Sequence, residues 1–228
     1  MRLPTLIPGA FVARDNRFRA TVLVGGAPVA AHVPTSGRMR ELLLPGRTVW
    51  LSPQPRPGRK TPYDLVLVEH EGALVSIDSR LPNALMAERL RRQGWEGRPL
   101  RSLTREVPLG ASRLDLLLED EAGVVWMEVK SVTLVVGGLA LFPDAPTTRG
   151  VRHLEELIAV AARGGRAAVA FVAQRADALR FAPHREADPA FAQTLAEAAR
   201  AGVLIRAYAC EVSRQEIAIA RTIPVALP

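Results

Sequence analysis

Residues 112–131, SRLDLLLEDEAGVVWMEVKS, read as a β-hairpin with charge gathered at one end. Leu114–Glu119 and Val124–Lys130 form the strands, and Asp120–Gly123 a four-residue loop. In the second strand Trp126, Glu128 and Lys130 share one face, and Val125, Met127 and Val129 the other. Pairing Glu119 with Val124 sets Asp115 opposite Glu128, with Cβ atoms about 5 Å apart. Two facing carboxylates repel unless something positive lies between them, and Lys130 is one pleat further along the same face. Mg²⁺ or Mn²⁺, its shell completed by water, suits that donor set. Such an ion would polarise a phosphodiester and turn a bound water into a nucleophile. Lys130 would orient or deprotonate that water, or stabilise charge growing on the phosphate. Asp115, Glu128 and Lys130 are therefore the candidate catalytic residues, the two carboxylates as metal ligands. A one-residue slip would move Asp115 to the other face, and a Glu–Lys pair also decorates many exposed strands.

The elements around this hairpin place it in a mixed α/β domain. PNALMAERLRRQG (82–94) is a helix with Pro82 at its start and Gly94 past its end. Strands follow near 103–109, 112–119 and 124–130. TTRGVRHLEELIAVAARGG (147–165) is an amphipathic helix with Leu154, Leu157, Ile158 and Ala161 on one face, and Gly164 can stop it. RAAVAFVAQ (166–174) is apolar throughout its centre, as a strand buried on both faces must be. The helix 187–202 has Asp188 as N-cap and Pro189 in its first turn, and VLIRAYA (203–209) is a last strand. The order is αβββαβαβ, a sheet with helices on its faces.

Upstream, RFRATVLV (17–24), APVAAHV (27–33), TVWLS (48–52) and DLVLVEH (64–70) are short strands with Gly25-Gly26, Ser36-Gly37 and Pro45-Gly46 between them. They predict a small OB-like β-barrel over residues 1–80, ahead of the mixed-sheet domain at 81–228. The barrel is where the charge lies. Residues 1–60 hold ten basic side chains against two acidic ones, whereas the whole chain has a net charge of +7. A basic block on a nearly neutral remainder marks either a polyanion-binding face, most commonly for nucleic acid, or a solvated surface in an arginine-rich protein.

Arg17, Arg19, Arg59 and Lys60 supply charge there, and the turn at Ser36–Arg38 offers hydroxyls, backbone N–H groups and a basic exit to a phosphate. Arg113 and Arg149 would extend that contact into the second domain, Arg149 from the start of a helix that favours anions. Phe11, Phe18, Trp50 and Tyr63 are either base-stacking platforms or core. Glu106, on the strand before Asp115, either adds a carboxylate near the metal or pairs with Arg105 or Arg113. Asp144 joins the phosphate loop ahead of the 147–165 helix or caps a turn. His153 reads as a surface or packing histidine rather than a base.

ASRLDLLLE, MEVKSVTL and FPDAPTTRGVRHLEEL, with HVPTSGRM and DSRLPNALMAERL upstream, resemble the sugar fermentation stimulation protein A family along nearly the whole chain. The resemblance implies an N-terminal OB-fold, a C-terminal domain of the PD-(D/E)xK nuclease type, and non-specific DNA binding. It also implies metal and catalytic roles for Asp115, Glu128 and Lys130. The chain departs from the family pattern at Thr35, where Asn is usual, and at Thr148, where Glu is frequent.

The expectation is a DNA-binding protein of low sequence specificity with a Mg²⁺-dependent phosphodiesterase site. The alternatives are a non-catalytic regulator of sugar (maltose) metabolism genes that keeps the nuclease fold, or an RNase. One cysteine, Cys210, excludes a disulfide framework and suits a reducing cytoplasm. No apolar run approaches a membrane span. The oligomeric state is open, a homodimer included.

Overall fold

The computed structural model describes residues 1–110 and 112–227; Ala111, at the head of the ASRLDLLLE motif, and Pro228 lie outside them. The first third of the chain is strand: β1 (Ile7–Asn16), β2 (Arg19–Val24), β3 (Ala27–His32), β4 (Thr48–Pro53), β5 (Tyr63–His70) and β6 (Ala73–Ser76). β1 pairs with β2 and β4, while β5 pairs with β4 and, in parallel, with β3. Five strands thus close in the order β1-β2-β3-β5-β4 around Phe11, Val22, Ala31, Leu51 and Leu65. The OB-like barrel is present.

β1 and β6 are additions to the strands expected from sequence. Bulges between Phe11 and Ala13 and between Arg14 and Asn16 break the alternation of β1 and hide it. Gly9 is needed in it, because a Cβ there would lie 2.8 Å from Val22 Cγ1 and 2.9 Å from the Leu23 carbonyl oxygen.

The second part contains α1 (Leu81–Gln93), β7 (Ser102–Leu109), β8 (Ser112–Asp120), β9 (Gly123–Val132), β10 (Val135–Val136) and β11 (Leu139–Phe142). It continues with α2 (Thr148–Ala162), β12 (Arg166–Ala173), β13 (Arg180–Pro183), α3 (Pro189–Arg200), β14 (Leu204–Val212) and β15 (Ile217–Ile223). The main sheet runs β15-β14-β12-β9-β8-β7, with β9, β12 and β14 parallel and the other pairs antiparallel. Leu154 and Leu157 of α2 and Phe191 and Leu195 of α3 share one core with Phe171 and Phe181. Leu85, Met86 and Leu90 of α1 cover Leu116, Val125 and Met127 on the opposite face. β12, between the two layers, is buried along nearly its whole length, which explains its apolar sequence.

The mixed α/β order stands, with β15 and the small sheet β10-β11-β13 added. Two helices are shorter than expected. Thr147 is the N-cap of α2, its Oγ1 accepting from Gly150 N at 3.0 Å, and the helix stops at Ala162, ahead of Gly164 with its φ of 78°. α3 begins at Pro189 because Asp188 accepts from Phe191 N at 3.0 Å. The hairpin loop also shortens to Glu121-Ala122. Asp120 pairs with Gly123, which takes a φ of 105°, and the Asp120 carboxylate accepts from Ala122 N at 2.8 Å.

The barrel and the sheet domain are clasped at several points. Ser76 donates from N to Gln174 O (2.9 Å) and from Oγ to Gln174 Oε1 (3.1 Å). Leu3 N donates to Gln215 O (2.8 Å), and the Arg214 guanidinium lies 4.8 Å above the Trp50 ring. Trp50 is therefore a clasp and not a free stacking platform. Phe11 is core, Tyr63 packs against the barrel interior, and of the four aromatics read as platform or core Phe18 is the exposed one. Among the described residues no helix is long and apolar enough to cross a membrane.

Candidate metal centre

The β8–β9 ladder has the expected register, from Asp120↔Gly123 to Leu116↔Met127. There the strands part. Asp115 Oδ2 accepts from Val129 N at 2.8 Å, so its carboxylate takes the bond that a ladder carbonyl would have taken. Its other oxygen accepts from Asn83 Nδ2 of α1 at 2.6 Å. Trp126 packs with the core beneath α2, while Val125, Met127 and Val129 pack beneath α1, the division of faces expected from alternation.

Glu128 is 3 % exposed. Its Oε1 accepts from Lys130 Nζ at 2.6 Å and lies in a short contact with Nδ1 of His153, itself 3 % exposed. Glu128 Oε2 is buried with no hydrogen-bond partner among the described residues. A carboxylate oxygen left so is costly unless something absent from the protein alone completes it.

Burial, and after it the charge of Glu128, push the Asp115 carboxyl up to about 6, against the bonds from Val129 and Asn83 and the charge of Lys130. Burial also opposes the charge on Glu128, but the hydrogen bond with His153 and the charge and bond of Lys130 outweigh it and hold that carboxyl below its ordinary value. The environment thus drives two neighbouring carboxyls apart, a signature of functional sites. These donors fit a hard divalent cation: one orphaned oxygen, and a second carboxylate whose charge Lys130 only partly offsets. Among the described residues no cluster of three or more Asp, Glu, His or Cys side chains is disposed to hold a metal. Water or main-chain oxygens would have to complete the shell.

Glu106 occupies the position on β7 between the pairs Arg105↔Leu116 and Val107↔Leu114, across from Asp115. It is exposed and has a φ of 56°. His153 is not on the surface; it bonds directly to the site. Its sequence signal was the stripe Gly150, His153, Leu154 and Leu157, the buried residues of α2.

Of the expected nucleic-acid contacts, Arg17, Ser36 and Arg38 come together with Arg14 and Arg40 around an open groove of about 470 Å³. Arg14, not singled out from the sequence, organises that groove. It donates to the carbonyls of Gly37 (2.6 Å), Arg38 (2.8 Å), Arg17 (2.6 Å) and Thr35 (3.2 Å). Asp144 reaches across from the sheet domain and accepts from Arg38 N (2.6 Å) and Met39 N (3.3 Å), so it does cap a turn, though a distant one. Arg19 is held by Asp15 (3.1 Å) and Arg59 by Asp64, while Lys60 and Arg113 are exposed elsewhere. Arg149, in the first turn of α2, donates from Nε to His153 Nε2 at 3.3 Å.

Residues 12–77 match the family described as SfsA N-terminal OB domain, and residues 80–216 match the sugar fermentation stimulation protein RE domain. A sugar fermentation stimulation protein homolog of Desulforamulus reducens is 48% identical over 99% of this chain and 94% of its own length. One from Moorella thermoacetica is 48% identical over 97% of each chain. The solved structure of Pyrococcus furiosus SfsA in complex with Ca²⁺ superposes with a TM-score of 0.87 at 34% identity, covering 100% of this chain and 98% of the other.

Proposed function

This chain belongs to the sugar fermentation stimulation protein family, and we propose that it is a DNA-binding phosphodiesterase of low sequence specificity, working with Mg²⁺ or Mn²⁺. The observation that carries the proposal is the half-buried Asp115 beside the buried Glu128, whose Oε2 has no partner among the described residues, next to Lys130. A Ca²⁺ complex of the Pyrococcus furiosus relative supports a divalent ion in the family. Asp115 and Glu128 would hold the ion; Glu106, exposed on β7, does not complete a three-residue cluster with them among the described residues. Bound there, the ion supplies a Lewis acid and a water of lowered pKa. Lys130, held on Glu128 Oε1, keeps two further donors for the attacking water or the phosphate.

The groove of Arg14, Arg17, Ser36, Arg38 and Arg40 would grip the phosphate backbone. Arg149 would add a contact beside the ion site, and Lys60 and Arg113 would add charge elsewhere on the surface, while Arg19 and Arg59 are already paired with Asp15 and Asp64. Such contacts do not read bases, so affinity falls steeply with salt and little with sequence. The barrel (1–80) is the grip in this scheme and the sheet domain (81–228) the blade. That no third metal-ligating side chain joins Asp115 and Glu128 among the described residues favours a second reading, a DNA-binding protein that does not cut.

The test is cleavage of plasmid, linear duplex, single-stranded DNA and RNA with Mg²⁺ or Mn²⁺, with binding measured on the same samples. Cutting that EDTA and Asp115→Asn both abolish, while binding survives, is the expected result. Binding without cutting of any substrate would transfer the case to the second reading, and preference for RNA would make the protein an RNase.

A further inference from the structure

We infer that His153 is a positioning residue that holds Glu128 as a metal ligand, and that Arg149 sets the imidazole tautomer this requires. The inference rests on the ion-binding reading of Asp115 and Glu128. Arg149 Nε donates to His153 Nε2 at 3.3 Å, so that nitrogen must be the acceptor and the ring proton belongs on Nδ1. Nδ1 faces Glu128 Oε1, to which it donates. Lys130 Nζ donates to the same oxygen at 2.6 Å and lies 3.4 Å from the ring nitrogen. Among the described residues two donors therefore converge on Oε1 and none on Oε2. The carboxylate cannot turn without losing both bonds in a buried place, so Oε2 is the oxygen presented to an ion.

The sequence places these groups by helix geometry. Arg149 and His153 are one turn apart on α2 and lie on neighbouring rows of its surface. His153 shares the buried stripe with Leu154 and Leu157, whose packing leaves the ring little freedom. Arg149 is exposed, its Nε is committed to His153, and its two terminal nitrogens make no hydrogen bond to the described residues. The guanidinium therefore has one edge on the imidazole and one edge free for a phosphate. A backbone phosphate docking on that free edge would hold Arg149 in place and keep the tautomer that fixes Glu128. Substrate grip and ion geometry are thereby linked through one side chain, with no movement of the backbone.

Three variants of the full chain test this: His153→Leu, His153→Asn and Arg149→Met, with circular dichroism and thermal melts to confirm folding. The first readout is Mn²⁺ affinity by isothermal titration calorimetry. His153→Leu is expected to weaken it by roughly 10–100-fold, the usual cost of losing a group that holds a metal ligand. His153→Asn places an amide N–H near the position of Nδ1–H and is expected to recover most of that loss. The second readout is ¹⁵N NMR of the imidazole, which needs no metal. The wild-type protein should show the Nδ1–H form, and Arg149→Met should admit the Nε2–H form.

A folded His153→Leu protein that binds Mn²⁺ as the wild type does overturns the inference while leaving the ion reading intact. An Nε2–H imidazole in the wild type overturns it too, even if His153→Leu fails to fold. A wild-type protein that binds no divalent ion overturns the ion reading and, with it, this inference.

Discussion

Asp115 and Asp120 lie on the same strand and face different fates at its two ends. Asp120 is 1 % exposed and fully satisfied: Arg166 grips it with two bonds of 2.6 and 2.8 Å, and Ala122 N adds a third. The Arg166 bonds hold its carboxyl below the ordinary value, against the effect of burial. Asp115 has an amide and a backbone N–H but no guanidinium, and it faces Glu128 instead. One aspartate is an anchor, and the other carries a repulsion that its two bonds and Lys130 only partly offset. Natural folds keep such a defect where an ion or substrate removes it.

Cleavage should separate the two most sharply. Asp115→Asn is expected to reduce metal-dependent cutting to the level seen in EDTA, whereas Asp120→Asn leaves the rate per folded molecule unchanged. Lys130→Ala should lower the rate by roughly 10²–10⁴-fold, as removal of a proton-handling group does. Equal losses at Asp115 and Asp120 would mean that the whole hairpin, and not its open end, matters.

Stability should order them the other way. Asp120→Ala strips Arg166 of its partner and frees Ala122 N, and is expected to cost about 2 kcal/mol in urea denaturation. The figure sits low in the range for buried pairs because the Arg166 side chain is 29% exposed and rehydrates. Asp115→Asn removes the repulsion with Glu128 at the expense of one hydrogen bond. Without divalent ions it should stabilise the protein by about 1 kcal/mol. Added Mn²⁺ should raise the melting temperature of the wild type and not that of Asp115→Asn.

Acid should then reverse the two effects. An unfolded Asp115 gives up its proton near pH 4, but the folded one does so at about 6. Between those values the folded state holds more protons, so this group's contribution falls as pH rises from about 4 to 6. The advantage of Asp115→Asn should be full at pH 7.5, shrink below pH 6 and vanish near pH 4. The folded Asp120 carboxyl titrates below its unfolded value, so its contribution is present above about pH 4 and is lost in more acidic solution. Mn²⁺ affinity should also weaken below about pH 6, as protons compete for Asp115. Denaturation midpoints from pH 4 to 8 check the stability claims, and titration calorimetry the last.

Much of this was legible in sequence because strand alternation is rigid. Once Glu119 pairs with Val124, every later position on both strands is set, and Trp126, Glu128 and Lys130 must share a face. What the ladder does at its end was not legible. Asp115 meets Glu128 by replacing a backbone acceptor, and that depends on Asn83 arriving from α1. Bulged β1 and the two-residue β10 were hidden for a different reason, since neither keeps a period long enough to read. His153 was readable, as part of the stripe that begins at Gly150, but its partner on β9 was not. Arg14 gave no sign, because its bonds run to carbonyls whose placement only the closed barrel decides.

The smallest expected effect asks what satisfies Asp120, the charge of its partner or the shape. Arg166→Lys keeps the positive charge but replaces the planar fork by a single ammonium. Lysine can reach one oxygen well, leaving the other to water, which has access along the half-exposed Arg166 side chain. If neutralisation is what distinguishes Asp120 from Asp115, the loss should be about 0.5–1 kcal/mol, a single hydrogen bond, and the carboxyl should stay below its ordinary value. A loss as large as that of Asp120→Ala would mean that the fork itself carries the anchor. The contrast with Asp115 would then lie in bonding geometry, and an ion at the open end would have to satisfy a directional demand as well as a charge.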